Sequence, residues 1–340
     1  MKKVIIEATK TSKIIEVPMP KAVEDWVLIK IHAAAMCTEY KFYIDGGMPD
    51  YPLGHEAAGE VVEVVRPGQV SMGDRVVVMP QYPCSQCTLC LDGDYILCEN
   101  TYDVEKFTGS LGGDSTYAQY ILKPSWLLPK IPDDMSYDHA AMLCCGLGPT
   151  FGAMERMKVD AVHTVLITGM GPVGLGGVIN GVYRNARVIA TAHNVYRADL
   201  AKALGADVVI NPRDENALAQ ILALTNSIGV DKSIECSGMP DAQRLCIDAT
   251  RRNGAVALVG ESGDLTIKVS DDIIRNGLQL HGIWHYNLKD IPKLFNIVQD
   301  CPEQIDQLIT HTFPMSQVQD AWELQSTRQC GKVVLHPWAD

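Results

Sequence analysis

The stretch Thr164-Val-Leu-Ile-Thr-Gly169-Met-Gly171-Pro172-Val173-Gly174 joins a short apolar run to a glycine-rich turn. Its last six residues match the pattern G-x-G-x-x-G, and residues 175–182 can continue it as a helix. In such a unit the first glycine makes the turn, the second admits a pyrophosphate, and the third lets helix and strand pack. The stretch predicts a dinucleotide site at Gly169, Gly171, Pro172, Val173 and Gly174. The alternative is a glycine-rich turn without ligand.

The residues that follow alternate between strand-like and helix-like segments. Apolar runs begin at Arg187, Asp207, Asp231 and Ala255, and helical patterns separate several of them. Strands that alternate with helices over about 130 residues indicate a parallel sheet wound on both faces. We therefore expect an α/β Rossmann domain with a doubly wound parallel sheet over residues 151–287.

The second strand of this domain bears on the choice of cofactor. NAD-specific sites usually carry an acid about 20 residues after the glycines, where it binds the ribose 2′-hydroxyl. Here the strand ends in Ala190-Thr-Ala192-His193-Asn194, with no acid. This favours NADP over NAD, because a carboxylate would repel the 2′-phosphate. His193 and Arg197 are candidate partners of that phosphate, although Arg197 could equally be a solvated helix residue.

The first 80 residues have a different pattern. Short β-branched runs are separated by proline and glycine, which is typical of a barrel or sandwich of many short strands. A further strand, Gly331-Lys-Val-Val-Leu335, follows the predicted Rossmann domain and could return to the first one. We expect a discontinuous β-rich domain at residues 1–150 and 288–340, with the Rossmann domain inserted in it.

Four cysteines, Cys84, Cys87, Cys90 and Cys98, lie within fifteen positions. Turn residues among them allow the segment to fold around one point. Four thiolates that converge suit a closed tetrahedral zinc site, which would stabilise a lobe and do no chemistry. Two disulfides or a chance grouping are the alternatives, and the spacing favours zinc.

Composition narrows the partners and the compartment. The net charge is −12, with 41 acids against 29 bases, which argues against nucleic acid. The apolar run at the N-terminus stops at Glu7, and no window resembles a membrane span. Eleven cysteines without an export signal indicate a reducing compartment, so we expect a cytoplasmic protein with no membrane partner.

Candidates for a second metal site are scattered along the chain. Cys37 follows a predicted strand, His55 lies in Gly54-His55-Glu56, and the pair Cys144-Cys145 ends an apolar stretch. Each of these residues also has an ordinary structural explanation. Buried cysteines are common core residues, and a single histidine is more often structural than a metal ligand. Cysteine and histidine are nevertheless the preferred ligands of zinc, and three of them leave a fourth position open for substrate.

Taken together, these motifs resemble the zinc-containing medium-chain alcohol and polyol dehydrogenases over essentially the whole chain. The shared segments are Gly54-His55-Glu56, Val70-Ser-Met-Gly73-Asp74-Arg-Val, the four spaced cysteines, the glycine motif, Ala203-Leu-Gly-Ala-Asp, Ile234-Glu-Cys-Ser-Gly and Gly331-Lys-Val-Val-Leu. The resemblance implies a barrel-like catalytic domain similar to the co-chaperonin fold, a Rossmann domain between its two segments, and a homodimer or homotetramer.

The resemblance also implies a second, catalytic zinc, so that each chain would hold two. Its ligands would be Cys37, His55 and one of Cys144 and Cys145; the alcohol-dehydrogenase pattern favours Cys145 and the polyol-dehydrogenase spacing would select Cys144. Glu56 resembles the acid beside the metal. The zinc would polarise the substrate oxygen while hydride passes between the substrate carbon and NAD(P). The substrate would be a secondary alcohol, a polyol or the matching ketone or aldehyde.

The proton relay departs from the family pattern, in which a glycine and then a hydroxyl residue follow the cysteine. Here Cys37-Thr38-Glu39 lacks the glycine, so either Thr38 is the relay or Glu39 occupies the hydroxyl position.

Two other functions are compatible with the sequence: a reductase with structural zinc only, and a non-catalytic NADP-binding protein. Pocket walls are expected at residues 40–51, 102–111 and 284–285. In the second of these, Tyr102, Asp103, Glu105 and Lys106 could bind hydroxyls, which would suit a polyol.

Overall fold

The computed structural model describes residues 1–46, 51–261 and 263–339. The chain divides into two compact units: Met1–Cys144 with Asn287–Ile305 and the segment from Ile309 onward, and Cys145–Tyr286 with Asp306–Leu308. The limits expected from the sequence are at residues 150/151 and 287/288. Within the described ranges, none of the helices is both long and apolar enough to cross a membrane.

Fourteen strands are present in the described residues. They are β1 Lys2–Ala8, β2 Thr11–Glu16, β3 Trp26–Ala35, β4 Ala57–Glu63, β5 Arg75–Val78, β6 Tyr120–Pro124, β7 Thr164–Thr168, β8 Arg187–Thr191, β9 Val208–Ile210, β10 Val230–Glu235, β11 Thr250–Leu258, β12 Gln279–Gly282, β13 Ile309–Pro314 and β14 Lys332–His336.

Twelve α-helices accompany them in the same residues. They are α1 Tyr40–Asp45, α2 Thr88–Leu91, α3 Val104–Thr108, α4 Tyr137–Ala141, α5 Gly148–Met157, α6 Pro172–Tyr183, α7 Val195–Ala203, α8 Ala217–Ala223, α9 Pro240–Ala249, α10 Ile291–Asp300, α11 Pro302–Leu308 and α12 Val318–Thr327. Short 3-10 turns lie at Tyr95–Leu97, Ser125–Leu127, Leu288–Asp290 and Met315–Gln317, and a π-helix spans Val269–Ile274.

The first unit is β-rich. Its main sheet has the order β13-β14-β3-β4-β5, with β6 also paired to β3, and β1 and β2 form a separate antiparallel pair. Strand β3 pairs antiparallel with β14, β4 and β6, so it is the centre of the sheet. Its residues are apolar apart from Lys30 and His32, which suits that position, because residues on both faces of a central strand are buried.

The second unit holds a parallel six-stranded sheet of order β12-β11-β10-β7-β8-β9. The order reverses at β7, the strand that leads into the glycine-rich turn, and helix α6 follows that turn. This is the arrangement in which dinucleotides bind beyond the carboxyl ends of the strands. The predicted fold class, a β-rich domain with an α/β Rossmann domain, is confirmed. Strand β12 was not predicted, because its four residues lack a clear apolar period.

Candidate functional site

Three neighbouring strands bring Cys37, Glu56 and Lys332 to one edge of the sheet in the first unit. Cys37 lies two residues beyond the end of β3, Glu56 immediately precedes β4, and Lys332 begins β14. Both β4 and β14 run antiparallel to β3, so the end of β3 lies beside the start of each. The register places residues that are far apart in sequence at one point, which no local pattern encodes.

His55 is oriented by its neighbours on both sides. Gly54 has a φ of +80°, and a β-carbon there would lie 2.2 Å from Thr116 Oγ1, so only glycine fits. The Nδ1 atom of His55 lies 2.7 Å from a carboxylate oxygen of Glu39. This contact leaves Nε2 as the nitrogen available to a metal. Burial opposes the charged ring, but Glu39 and Cys37 outweigh it, so the pKa of His55 lies well above its usual value.

Glu39 is itself buried, and both of its oxygens have partners. One binds His55, and the other accepts hydrogen bonds of 3.1 Å from the Cys37 amide and from the Tyr117 hydroxyl. Carboxylates that bind the second nitrogen of a histidine fix its tautomer and its orientation. The sequence alone indicates Glu39 only as a possible proton relay. Its position two residues after a candidate metal ligand was the available signal for this positioning role.

The two adjacent cysteines are directed differently. Cys145 contributes its Sγ to a group with Cys37, His55 and Glu56, in which one ligand atom from each residue lies within 4.8 Å of all the others. The Cys144 thiol instead faces Val78, with its Sγ 3.5 Å from the carbonyl oxygen. Burial raises the pKa of Cys144, which keeps its thiol protonated. We call the group of Cys37, His55, Glu56 and Cys145 the mixed cluster.

Glu56 brings a buried charge pair to the mixed cluster. One of its carboxylate oxygens lies 2.6 Å from Lys332 Nζ, and both side chains are fully buried. The same oxygen lies 3.9 Å from Nε2 of His55. Burial raises the pKa of Glu56 to about 7, although Lys332 opposes the shift. Without the lysine, this buried carboxylate would lose its closest cation, which is strongly unfavourable.

The four cysteines of the lobe also converge. The Sγ–Sγ distances are 3.5 Å for Cys87–Cys90, 3.9 Å for Cys87–Cys98 and 3.5 Å for Cys98–Cys84. Sulfur atoms about 2.3 Å from a tetrahedral zinc ion would lie about 3.8 Å apart, so the donor set fits zinc. We call this group the four-thiol cluster. The cysteines are free thiols rather than disulfides.

Backbone amides support these sulfur atoms. Cys84 N lies 3.3 Å from Cys98 Sγ, Cys87 N lies 3.4 Å from Cys84 Sγ, and Asn100 N lies 3.3 Å from Cys98 Sγ. Amide donors, first that of Gln86, lower the pKa of Cys84 to about 6. The amides therefore favour the thiolate form, which is the form that binds metal.

The glycine-rich turn leaves room for a dinucleotide at the N-terminus of α6. Gly169 has a φ of +82° and packs against Ser237, where a β-carbon would lie 2.6 Å from the serine Cβ. A β-carbon on Gly174 would lie 2.2 Å from Gly169 O, so this glycine permits close packing of helix and strand. A β-carbon on Gly171 would meet nothing within 4 Å, so the space beside it is open. Pro172 and Val173 begin the helix.

The other predicted residues lie outside the clusters. His193 is exposed in the turn after β8, and Arg197 lies in the first turn of α7, where its amide binds the side chain of Asn194. Thr38 is exposed beside the mixed cluster. Tyr102 packs against Trp26 and Phe107 in a hydrophobic cluster.

The remaining pocket-wall segments have mixed positions. Asp103 caps α3 through the Lys106 amide. Trp284 is 45% exposed, whereas His285 next to it is buried. Part of the first predicted wall, residues 47–50, lies outside the described residues.

Comparison with known proteins defines the class. Residues 23–133 match the family model "Alcohol dehydrogenase GroES-like domain", and residues 172–300 match "Zinc-binding dehydrogenase". The chain belongs to the zinc-containing medium-chain alcohol and polyol dehydrogenases. It is an oxidoreductase that transfers hydride between an alcohol and its carbonyl form with a nicotinamide cofactor.

Individual relatives agree with this assignment. A sorbitol dehydrogenase from Bacillus subtilis is 32% identical, over 99% of this chain and 97% of the relative. An L-threonine 3-dehydrogenase from Symbiobacterium thermophilum is also 32% identical, over 98% and 96%. The structure of an alcohol dehydrogenase from E. coli CFT073 complexed with NADH is 26% identical, covers 99% of both chains and has a TM-score of 0.84.

Proposed function

We propose that this chain is an alcohol or polyol dehydrogenase that depends on zinc at the mixed cluster and holds a second, structural zinc at the four-thiol cluster. The observation that carries the proposal is the convergence of Cys37, His55, Glu56 and Cys145 within 4.8 Å. Two thiols, an imidazole and a carboxylate are donors that zinc accepts. The alternative, a reductase with structural zinc only, leaves this convergence unexplained.

The residues of the mixed cluster divide the work in this proposal. Cys37, His55 and Cys145 hold the metal, and Glu39 orients the imidazole through Nδ1. Zinc bound there would act as a Lewis acid on the substrate oxygen and favour hydride exchange with the nicotinamide. Glu56, held by Lys332, would supply a carboxylate beside the metal, as an outer partner or a transient ligand.

The two adjacent cysteines give a matched test. Cys145→Ser should lower the zinc content from about two ions per chain to about one, and kcat/KM should fall by about 100-fold or more, since a Lewis-acid metal contributes several kcal/mol. Cys144→Ser, in the adjacent position but outside the mixed cluster, should keep both zinc ions and near-normal activity. Equal effects of the two substitutions, or full activity with one zinc, would reject the proposal.

For proton transfer we propose Thr38 rather than Glu39. The Glu39 carboxylate is already engaged with His55, Tyr117 and the Cys37 amide, whereas the Thr38 side chain is exposed and can meet solvent. Thr38→Val should lower kcat by about 100-fold, and Thr38→Ser should keep most of it, since proton relays contribute about 100-fold or more. Normal turnover in the valine variant would remove Thr38 from the mechanism.

For the cofactor we propose binding at Gly169, Gly171, Pro172, Val173 and Gly174, with NADP preferred over NAD. The support is the absence of a carboxylate in residues 192–194 and the two basic residues His193 and Arg197 nearby. Fluorescence titration with NADPH and NADH tests the preference. Ala192→Asp should shift it toward NADH, because the new carboxylate would bind the 2′-hydroxyl and repel the 2′-phosphate. Tighter binding of NADH by the unaltered chain would contradict it.

The relatives support a proposal for the substrate class. Sorbitol, L-threonine and 2R,3R-butanediol dehydrogenases are among the similar proteins, and the three named compounds carry a secondary alcohol beside a second polar group. We propose a substrate of this kind. Activity with a panel of polyols, amino alcohols and their ketones tests the substrate class.

We also propose that the protein is a homodimer or homotetramer and that it is located in the cytoplasm. Light scattering tests the oligomeric state.

A further inference from the structure

The side chain of His285 contacts one residue of the mixed cluster. Its Nε2 lies 3.6 Å from the Sγ of Cys145, which is within hydrogen-bonding range for sulfur. Both side chains are buried, and both residues belong to the second compact unit. The sequence alone indicates His285 only as part of a pocket wall. Its approach to a candidate metal ligand gives it a more specific role.

The backbone around His285 is fixed against helix α5, which begins three residues after Cys145. A β-carbon on Gly152 would lie only 2.0 Å from the carbonyl oxygen of His285, so the segment packs directly on the helix backbone. The ring of Tyr286, also buried, contacts Phe151 edge-on with centroids 6.1 Å apart. The backbone of His285 is therefore packed against α5, the helix that begins shortly after Cys145.

The chemistry of the pair decides the direction of the hydrogen bond. A cysteine that binds zinc is a thiolate, which has no proton to donate. Nε2 of His285 must then carry the proton and donate it to the sulfur. Hydrogen bonds to a ligand atom reduce the charge that the ligand gives to the metal, and such outer partners tune metal affinity and reactivity.

We propose that His285 is a positioning residue that donates a hydrogen bond from Nε2 to the Cys145 thiolate and so tunes the metal of the mixed cluster. The proposal rests on the proposed function, because it requires a metal at that cluster. It adds a residue outside the ligand set. The imidazole holds the thiolate in place and withdraws electron density from it, which leaves the metal a stronger electron acceptor.

The test replaces the hydrogen-bond donor without changing the length of the side chain. His285→Met removes the N–H group, whereas His285→Gln keeps one on a side chain of similar size. His281→Met, on strand β12, is the control. Each protein is loaded with Co²⁺, and its thiolate-to-cobalt charge-transfer band is recorded. The spectrum of Cys145→Ser is subtracted to remove the signal of the four-thiol cluster.

We expect His285→Met to shift the charge-transfer band to longer wavelength, because a thiolate without a hydrogen-bond donor gives up its electrons more easily. Zinc affinity, measured by competition with a chelator, should fall by about 10–100-fold in this variant, because the thiolate is no longer held in place for the metal. His285→Gln should lie between it and the unaltered protein, and His281→Met should match the unaltered protein. His285→Phe, which keeps a ring but has no donor, should repeat the shift and provides a second test if the methionine variant does not fold.

The outcomes separate this inference from the proposed function. If the unaltered protein gives the same cobalt spectrum as Cys145→Ser, the mixed cluster holds no metal and the proposed function itself fails. If the mixed cluster does hold cobalt, but His285→Met and His285→Phe match His281→Met in band position and zinc affinity, only the inference about His285 is overturned.

Discussion

The four-thiol cluster and the mixed cluster are built in opposite ways. All the donors of the four-thiol cluster lie between Cys84 and Cys98, and its sulfur atoms accept hydrogen bonds from amides of the same loop. The donors of the mixed cluster span Cys37 to Cys145, and buried side chains such as Glu39 and Lys332 hold them. The four-thiol cluster is therefore formed within one loop, whereas the mixed cluster requires segments that are far apart in the chain to come together.

This difference relates to what each site can do. A closed shell of four thiolates has no position for substrate, so its effect is on stability. The mixed cluster contains a carboxylate that is engaged with a lysine, and an exposed threonine lies beside it. We therefore expect perturbation of the four-thiol cluster to act on folding, and perturbation of the mixed cluster to act first on metal affinity and turnover.

We expect the largest effect on stability from losing the zinc that we propose at the four-thiol cluster. Zinc binding by such sites contributes about 10 kcal/mol or more to folding in small zinc-binding peptides. Cys98→Ser should therefore release one zinc per chain and lower Tm, as measured by metal analysis and calorimetry. Cys301→Ser, at the junction of α10 and α11 and in neither cluster, should leave both quantities unchanged. Unchanged zinc content in Cys98→Ser would contradict the assignment of the four-thiol cluster.

The buried pair Glu56–Lys332 gives the next largest effect. Lys332→Met leaves the Glu56 carboxylate buried without its cation, which should cost about 3–5 kcal/mol in the free energy of unfolding by urea. The double variant Glu56→Gln with Lys332→Met should recover part of this loss, because it contains no isolated charge. Lys13→Met breaks the exposed Lys13–Glu7 pair and should cost about 1 kcal/mol or less. Equal costs for the two lysine substitutions would reject the distinction.

The smallest effect that we predict concerns the orientation of His55. Glu39→Gln removes the negative charge from the partner of Nδ1, and zinc affinity at the mixed cluster should fall by about 10–100-fold. Chelator competition measures this change. Tyr117→Phe removes only one donor to the same carboxylate and should have a smaller effect. If Glu39→Gln instead weakened the four-thiol cluster, the two sites would not be independent.

Much of the fold could be predicted because the relevant signals are short. Strand β7, the glycine turn and α6 are contiguous, and their spacing alone indicates a dinucleotide-binding unit. Apolar runs predicted most strands, including β14 in the first unit. Strand β12 was missed, because it pairs at the edge of the sheet with only four residues.

Individual site residues were harder to predict, because their roles depend on the direction in which each side chain points. Cys144 and Cys145 are identical in type and adjacent, so spacing left both open as ligands. Local backbone geometry turns the Cys144 thiol toward Val78 and the Cys145 thiol toward His55. His285 is 140 positions from Cys145, and no local sequence pattern predicts a contact between residues so far apart.

The sequence by itself determined the class of protein, the four-thiol cluster and the dinucleotide turn, because each is carried by short motifs whose own residues are close together in the chain. Only the tertiary structure decided that Glu39 faces His55, that Lys332 faces Glu56, and that His285 faces Cys145. For the first two contacts the physical reason is strand register, because antiparallel pairing of β3 with β4 and β14 brings distant residues to one edge. For the third it is the packing of the His285 segment on α5, the helix that follows Cys145. Because the Glu39, Glu56 and Lys332 side chains are buried, each charged group would be strongly unfavourable without its oppositely charged partner.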